Sequence, residues 1–415
     1  MSSTDPVILM NANFGNLSKV LASEQSLWRN RGYDTTNIFA VDNTARTPPT
    51  GTLGNFGGST RFQFRKRGGR VHKAWLKLTV SAGAVAAANR AAFADDLAAN
   101  ILERVTIEYS SKTMHEYSGE MVKHYNRLMF HDITRESYNA MAFAGLPPGA
   151  GGAEAQREAL ASNTFTVFVP LDWLWFTRSE DYSMTPEALA SNLELVVQFR
   201  NLEQLTYARV IATGLTPAAD PFTTRPTITD CQLFTQLIFT PHVEKTMHLG
   251  EFETRQGHIY KILDREVQLA QPIAAAAGVY PIKLDNFRLD SQFLMFIVRS
   301  STINTNWAID RNTSDPTSTI LPGGGSVAAL QPITSFRLLA NGSTIVDVCT
   351  DIENRAVWRS IYFPGSQIAD YVYFIPWSWL LRDAKNVSGF QNMVSYVVLW
   401  RFIPLLTLHR PTWVQ

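Results

Sequence analysis

The sequence predicts an all-β protein, built as two tandem antiparallel β-sandwiches or barrels with a few short helices between strands. Three observations carry that expectation. Short apolar runs, many alternating apolar with polar residues, recur along the whole chain and are separated by turn-rich segments. Helical periodicity is confined to a few windows. The chain also repeats itself. VPLDWLWF (169–176) is echoed by IPWSWLLR (375–382), with Pro170 and Pro376 206 residues apart. ELVVQFR (194–200) is echoed by SYVVLWR (395–401), with Val196 and Val397 201 apart. WLKLTV (75–80) is echoed by FLMFIV (293–298), with Leu76 and Leu294 218 apart. Any one match is chance-grade, but a common order at nearly one offset means one architecture built twice.

Taken in order, residues 1–56 read as an irregular, polar N-terminal arm. It ends in the Pro-, Gly- and Thr-rich loop TARTPPTGTLGNFGG (44–58). RFQFRKRGGRVHKAWLKLTV (61–80) reads as strand, Gly-Gly turn, strand. NRAAFADDLAANILERV (89–105) has helical composition and runs into the strand VTIEY (105–109). YSGEMVKHYNRLMF (117–130) reads as a second helix, with Met121, Tyr125, Leu128 and Met129 at spacings near 3.6. LPPGAGGAEAQ (146–156) reads as a long flexible loop. FTVFVPL (165–171), LELVVQF (193–199) and CQLFTQLIF (231–239) follow as strands. The polar, aperiodic stretch TPHVEKTMHLGEFETRQG (240–257) is the best domain boundary. Beyond it HIYKILDREV (258–267), YPIKL (280–284), FLMFIVRS (293–300), FRLLANGSTIVDV (336–348), YVYFIP (371–376) and VSYVVLWRF (394–402) read as strands. Asn341-Gly342 marks a hairpin, because a type I′ turn needs positive φ at both central positions. NTSDPTSTILPGGGS (312–326) reads as another exposed loop.

The bulk numbers agree. At 415 residues and 45% apolar, the chain suffices for two domains with sizeable cores. Charged residues make up only 18%, below the usual share of about a quarter, and ten Trp are present. Low charge with many aromatics points to surface that becomes interface. A net charge of +1 gives no bulk sign of nucleic-acid wrapping. Cys231 and Cys349 are the only cysteines and read as buried hydrophobes in a reducing compartment. The N-terminus lacks the pattern of a signal peptide, and no apolar run reaches the length of a membrane span.

No catalytic constellation emerges, so the expectation is a protein that is not an enzyme, with no cofactor, metal or small-molecule substrate. His115-Glu116 is not followed by a histidine at the spacing of a helical zinc protease, since the next is His124. No two histidines lie within four positions, and no P-loop or nucleophile elbow is present. One basic cluster stands out: Arg61, Arg65, Lys66, Arg67, Arg70, His72 and Lys73. It reads either as a patch facing polyanion or as a solvated hairpin tip.

The motifs, taken together, resemble those of the major capsid proteins of nucleocytoplasmic large DNA viruses, the double jelly-roll proteins related in architecture to adenovirus hexon. FQFRKRGGRVHKAWLKL resembles the family's early strand–turn–strand, carried by Phe62, Phe64 and Gly68, although the family's Gly-Asp is Gly68-Gly69 here. MHEYSGEMVKHYNRLMF keeps the spacing of Tyr117, Gly119 and Glu120. VFVPLDWLWFTR resembles the family's Pro-Leu-x-Phe-Trp-Phe strand through Pro170, Leu171, Trp173 and Phe176. Pro376 occupies the second copy of that strand. Ser388, Gly389 and Asn392 match a Ser-Gly-x-x-Asn turn before the final strand. The N-terminal block keeps only a trace, WRNRGYDTTNIFA (28–40).

The resemblance implies two eight-stranded antiparallel jelly rolls, at 57–242 and 243–415, behind the arm at 1–56. It implies a homotrimeric, pseudo-hexagonal capsomer in the icosahedral shell of a double-stranded DNA virus, made in the host cytoplasm or a viral factory. Implied partners are neighbouring capsomers and minor capsid, penton or cement proteins, with an inner membrane or nucleic acid facing Arg65, Lys66, Arg67 and Arg70. The loops 141–163 and 308–328 are expected at outer or intersubunit surfaces. The alternatives are a carbohydrate- or receptor-binding β-sandwich, such as a viral fibre or spike, and a minor capsid protein of the same fold.

Overall fold

A computed structural model describes residues 40–66, 70–94, 96–119, 121–123, 132–143, 152–171, 174, 176–177, 183–189, 191–213, 219–239, 278–284, 290–291, 293–297, 320–321, 325–326, 334–340, 343–363, 372–377, 391–392 and 396–402. The main strands of the first half are β1 (Ala40–Thr47), β2 (Ser59–Gln63), β3 (Arg70–Val80), β4 (Asn89–Phe93), β5 (Leu102–Tyr109), β6 (Lys112–Ser118), β7 (Phe165–Pro170), β8 (Leu193–Phe199), β9 (Thr206–Val210) and β10 (Ile228–Phe239). Helices α1 (Leu97–Ile101), α2 (Asp132–Ala142) and α3 (Gly152–Ser162) intervene. The second half has β11 (Gly278–Leu284), β12 (Phe293–Ile297), β13 (Ser335–Ala340), β14 (Ser343–Thr350), β15 (Val372–Pro376) and β16 (Tyr396–Phe402). Between β14 and β15 a π-helical turn, Glu353–Trp358, continues as α4 (Arg359–Tyr362).

Two four-stranded antiparallel sheets build the first half, in the orders β1-β10-β3-β7 and β2-β8-β5-β6. The chain passes back and forth between them, and that interleaving is the jelly roll. Period-two alternation sets which face is buried. On β3 the inward positions include Leu76, Leu78 and Val80; on β8 they are Leu193, Leu195, Val197 and Phe199. The two inner faces share one core with Phe62, Val105, Ile107, Val167, Val169 and Leu233. The second half repeats the second sheet strand for strand, as β11-β16-β13-β14. It also repeats the pairing of β3 with β7 in β12 with β15: Trp75 faces Pro170, and Phe293 faces Pro376. Both prolines close their strands, where the missing N–H costs no ladder bond. The second core gathers Leu284, Leu294, Phe336, Leu338, Cys349, Tyr373 and Ile375.

Several expectations need correction. Ala40–Thr47, inside the segment read as an arm, is an edge strand on β10. Arg46 lies over the Phe234 ring at 5.1 Å, and that ring stacks on Trp75, so a polar strand is held by cation–π packing. Residues 61–80 are not a hairpin, because β2 pairs with β8 and β3 with β10 and β7, in opposite sheets. Asn89–Phe93, read as helical, is a strand pairing with β9, because sheet pairing with burial of Ala91, Ala92 and Phe93 overrides Ala-rich local propensity. Tyr117 and Ser118 end β6, and helix begins only at Gly119. The stretch 141–163 is not wholly loop: α3 fills Gly152–Ser162, with Ala161 buried and Glu158 paired with Arg90 at 3.8 Å. The boundary stretch 240–257 and most of 308–328 lie outside the described residues.

Candidate functional site

The basic cluster divides as the strands do. Arg61, on β2, bridges Glu108 of β5 and Glu194 of β8, each at 3.0 Å. The Glu108 charge, with the hydrogen bond that Arg61 donates to Glu194, holds its guanidinium pKa above the ordinary value. Lys66 donates to the Leu189 carbonyl at 2.6 Å, and Lys73 to that of Thr177 at 2.9 Å. Arg70 approaches the Ser183 hydroxyl at 3.5 Å, and His72 is buried. Arg65 is exposed, while Arg67 lies outside the described residues. The cluster is therefore not one patch: part stitches the outer face of the β2-β8-β5-β6 sheet, and part pins the segment after β7.

That outer face carries a shallow polar concavity of about 400 Å³, lined by Arg61, Arg104, Thr106, Glu108, Thr113 and Glu116 among others. Its carboxylates are spoken for, since Arg61 takes Glu108 and Arg104 reaches Glu116 at 4.0 Å. An ion ladder of this kind joins strands and offers no acid–base pair. Among the described residues no group of three His, Cys, Asp or Glu side chains is placed to hold a metal ion. The two thiols are buried; burial pushes Cys349 up to about 12 and Cys231 upward as well, which removes nucleophilic thiolate.

The family-motif residues that the structure describes sit in packed or paired positions. Phe62 and Phe64 are buried, and Phe64 meets Phe176 edge-on at 5.6 Å. Leu171 and Tyr117 are buried, and Pro170 and Pro376 are half-buried at strand ends. Gly119 starts a helix where a Cβ would press on the carbonyl oxygens of Ala99 and Leu102. Asn392 pairs with Asp290 in a two-residue strand. Gly68, Glu120, Trp173, Ser388 and Gly389 lie outside the described residues.

What sequence reasoning missed is an apolar outer face in the second half. Ile345 and Val348 on β14, and Ile352, Val357 and Ile361 on the π turn and α4, are each about half or more exposed. The helix beneath them is firmly held. Asp351, nearly fully buried, accepts from Arg355 Nε at 2.7 Å and from the Tyr373 hydroxyl at 2.6 Å. The Asn354 side chain donates to the Phe374 carbonyl at 2.6 Å and accepts from its N–H at 3.1 Å. A rigid face of branched aliphatics can bind but not react. Its sequence signal was the density of apolar residues in TIVDVCTDIENRAVWRSIYF, too many for one buried side.

Comparison with known proteins fits these features. The family profile described as Major capsid protein N-terminus matches residues 26–239, just over half of the chain. No curated protein sequence matches. Among solved structures, the PBCV-1 virus capsid aligns with TM-score 0.64 and 16% identity over 89% of this chain and 86% of that one. The Faustovirus major capsid protein aligns with TM-score 0.63 and 9% identity over 96% and 95%. At such identities these likenesses speak for the fold.

Proposed function

The chain belongs to the major capsid protein family, a structural rather than enzymatic family, and from that membership we propose that it is the repeating block of an icosahedral double-stranded DNA virus shell. The observation that carries the reading is the duplication: two jelly rolls whose β2-β8-β5-β6 and β11-β16-β13-β14 sheets correspond strand for strand. Three such chains around an axis give six similar lobes, so a homotrimer becomes a pseudo-hexagon able to tile. Function is then assembly, with the exposed aliphatic face and the low charge both suited to contact between proteins. Neighbouring capsomers are the main partners; minor, penton and cement proteins would seal the rest. The Leu189 carbonyl and the Ser183 hydroxyl engage Lys66 and Arg70, which weakens the reading of a polyanion-facing patch there.

The test is native mass by light scattering, with negative-stain images of the same peak. Three copies of the 46.4 kDa chain come to about 139 kDa. That mass with hexagonal outlines is the expected result. A stable monomer without hexagonal particles would transfer the reading to a binding sandwich.

A further inference from the structure

The two jelly rolls share a local irregularity at an edge strand. In the first half the β5–β6 ladder runs Tyr109–Lys112, Glu108–Thr113, then Ile107–His115, so Met114 is an extra residue without a partner opposite. In the second half the β13–β14 ladder runs Ala340–Ser343, Leu339–Thr344, then Leu338–Val346, and Ile345 is the extra residue. Counted from the hairpin turn, the bulge falls at the third residue of the outgoing strand both times. Each bulged side chain is aliphatic, and each is 49% exposed. A bulge bends its strand and re-aims one side chain. Both β6 and β14 are sheet edges, so the knobs project from a border of each sheet. A second irregularity in β14, where Asp347 and Val348 oppose Arg337, turns Val348 outward too. Bulges also interrupt the free edge and disfavour strand addition, so contact here runs through side chains.

The surroundings of the two knobs differ in sign. Beside Met114 stands exposed Lys112, and beside Ile345 stands exposed Asp347. At the far end of β14 the Glu353 carboxylate accepts from the Thr350 N–H at 2.7 Å and hydroxyl at 2.9 Å, which holds its pKa below the ordinary carboxylate value. A block with alternating lobes adds a geometric constraint. Around a hexagon whose edges alternate between first-half and second-half lobes, opposite edges are unlike. When such blocks tile in one orientation, every first-half lobe meets a second-half lobe of the next block.

We propose that the Met114 edge of one copy docks on the Ile345–Val348 face of a second copy in a neighbouring block, as the lateral contact of the shell. Lys112 faces Asp347 in that contact. Ile352, Val357 and Ile361 extend the apolar seat beyond the strand. With a net charge of +1, packing copy on copy carries little overall repulsion. The proposal rests on the capsid reading and adds which surfaces meet.

The test pairs cysteines at the two knobs. Met114→Cys with Ile345→Cys is oxidised with copper–phenanthroline in assembled particles and in isolated trimers; the native thiols are buried and stay out of the reaction. The expected result is a reducible product heavier than the trimer, formed in particles only, and absent from either single variant. No product in particles, a product within isolated trimers, or self-linking of the single Met114→Cys variant would each overturn the contact. Lys112→Glu should cost particles while the trimer mass is kept, and adding Asp347→Lys to it should restore them. Failure of that rescue also overturns it. Wild-type particles in the same preparations keep the capsid reading standing whatever the knobs do, so the two failures are told apart.

Discussion

At the scale of single residues, the described motif positions are packed or paired. Gly119 is the clearest. A methyl group there would lie closer than 3.0 Å to two backbone oxygens, those of Ala99 and Leu102, at the end of α1 and the start of β5. Neither is the end of a flexible side chain, so the neighbours cannot swing aside. Gly119→Ala is expected to destabilise the protein by about 1–3 kcal/mol, the ordinary cost of forcing a methyl into a filled core. The check is the urea midpoint: it should fall with the slope unchanged, and an unshifted midpoint would mean the backbone yields without cost. The sequence marked Gly119 as part of a spacing, but nothing local says what stands opposite it. Tyr138, likewise, donates to Asp96 at 2.6 Å and ties α2 to the left-handed residue before α1. That contact spans 42 residues and leaves no periodic trace.

At the scale of elements, local chemistry was legible and pairing was not. The β13–β14 hairpin was readable because Asn341-Gly342 suits a tight turn, and Ala340 does pair with Ser343. Its counterpart between β5 and β6 was read only as a strand, because Ser110-Ser111 announces nothing. Both serines take positive φ, 48° and 63°, where non-glycine residues pay about 1–2 kcal/mol. Ser110→Asn with Ser111→Gly should therefore raise stability by about 1 kcal/mol, seen as a higher thermal midpoint with assembly intact. A lower midpoint would show that the turn is held by contacts the serines make. The misreadings differ in cause. Ala-rich Asn89–Phe93 carries composition belonging to a helix, and pairing decided it. Gly152–Ser162 is helical by its own Ala, Glu, Gln and Arg content, and the Pro- and Gly-rich run before it hid the start. The Arg-rich Gly-Gly turn has the pattern of a hairpin, yet β2 pairs with β8 and β3 with β10, each partner more than a hundred residues away.

At the scale of the whole molecule, the repeat told most, because order along the chain survives divergence better than any single strand. Trp75 against Pro170 and Phe293 against Pro376 turn that order into matched pairing. What order does not disclose is where the first jelly roll begins. β1 covers the edge of β10, and Arg46 shields Phe234, so the fold starts by residue 40 rather than 57. This separates two roles in the N-terminal segment. Deleting residues 1–25 leaves β1 in place; trimers should form at normal mass, while particle yield falls if the preceding chain reaches between neighbours. Deleting residues 1–50 also strips β10 of its edge partner and opens Phe234 to water. That variant should lose soluble trimer altogether, because a long apolar strand edge becomes free to pair with other chains. Sedimentation of both proteins, alongside particle counts from the same cells, separates the roles. Full particle yield from the shorter deletion would remove the arm from assembly, and a soluble trimer from the longer one would make β1 dispensable to the fold.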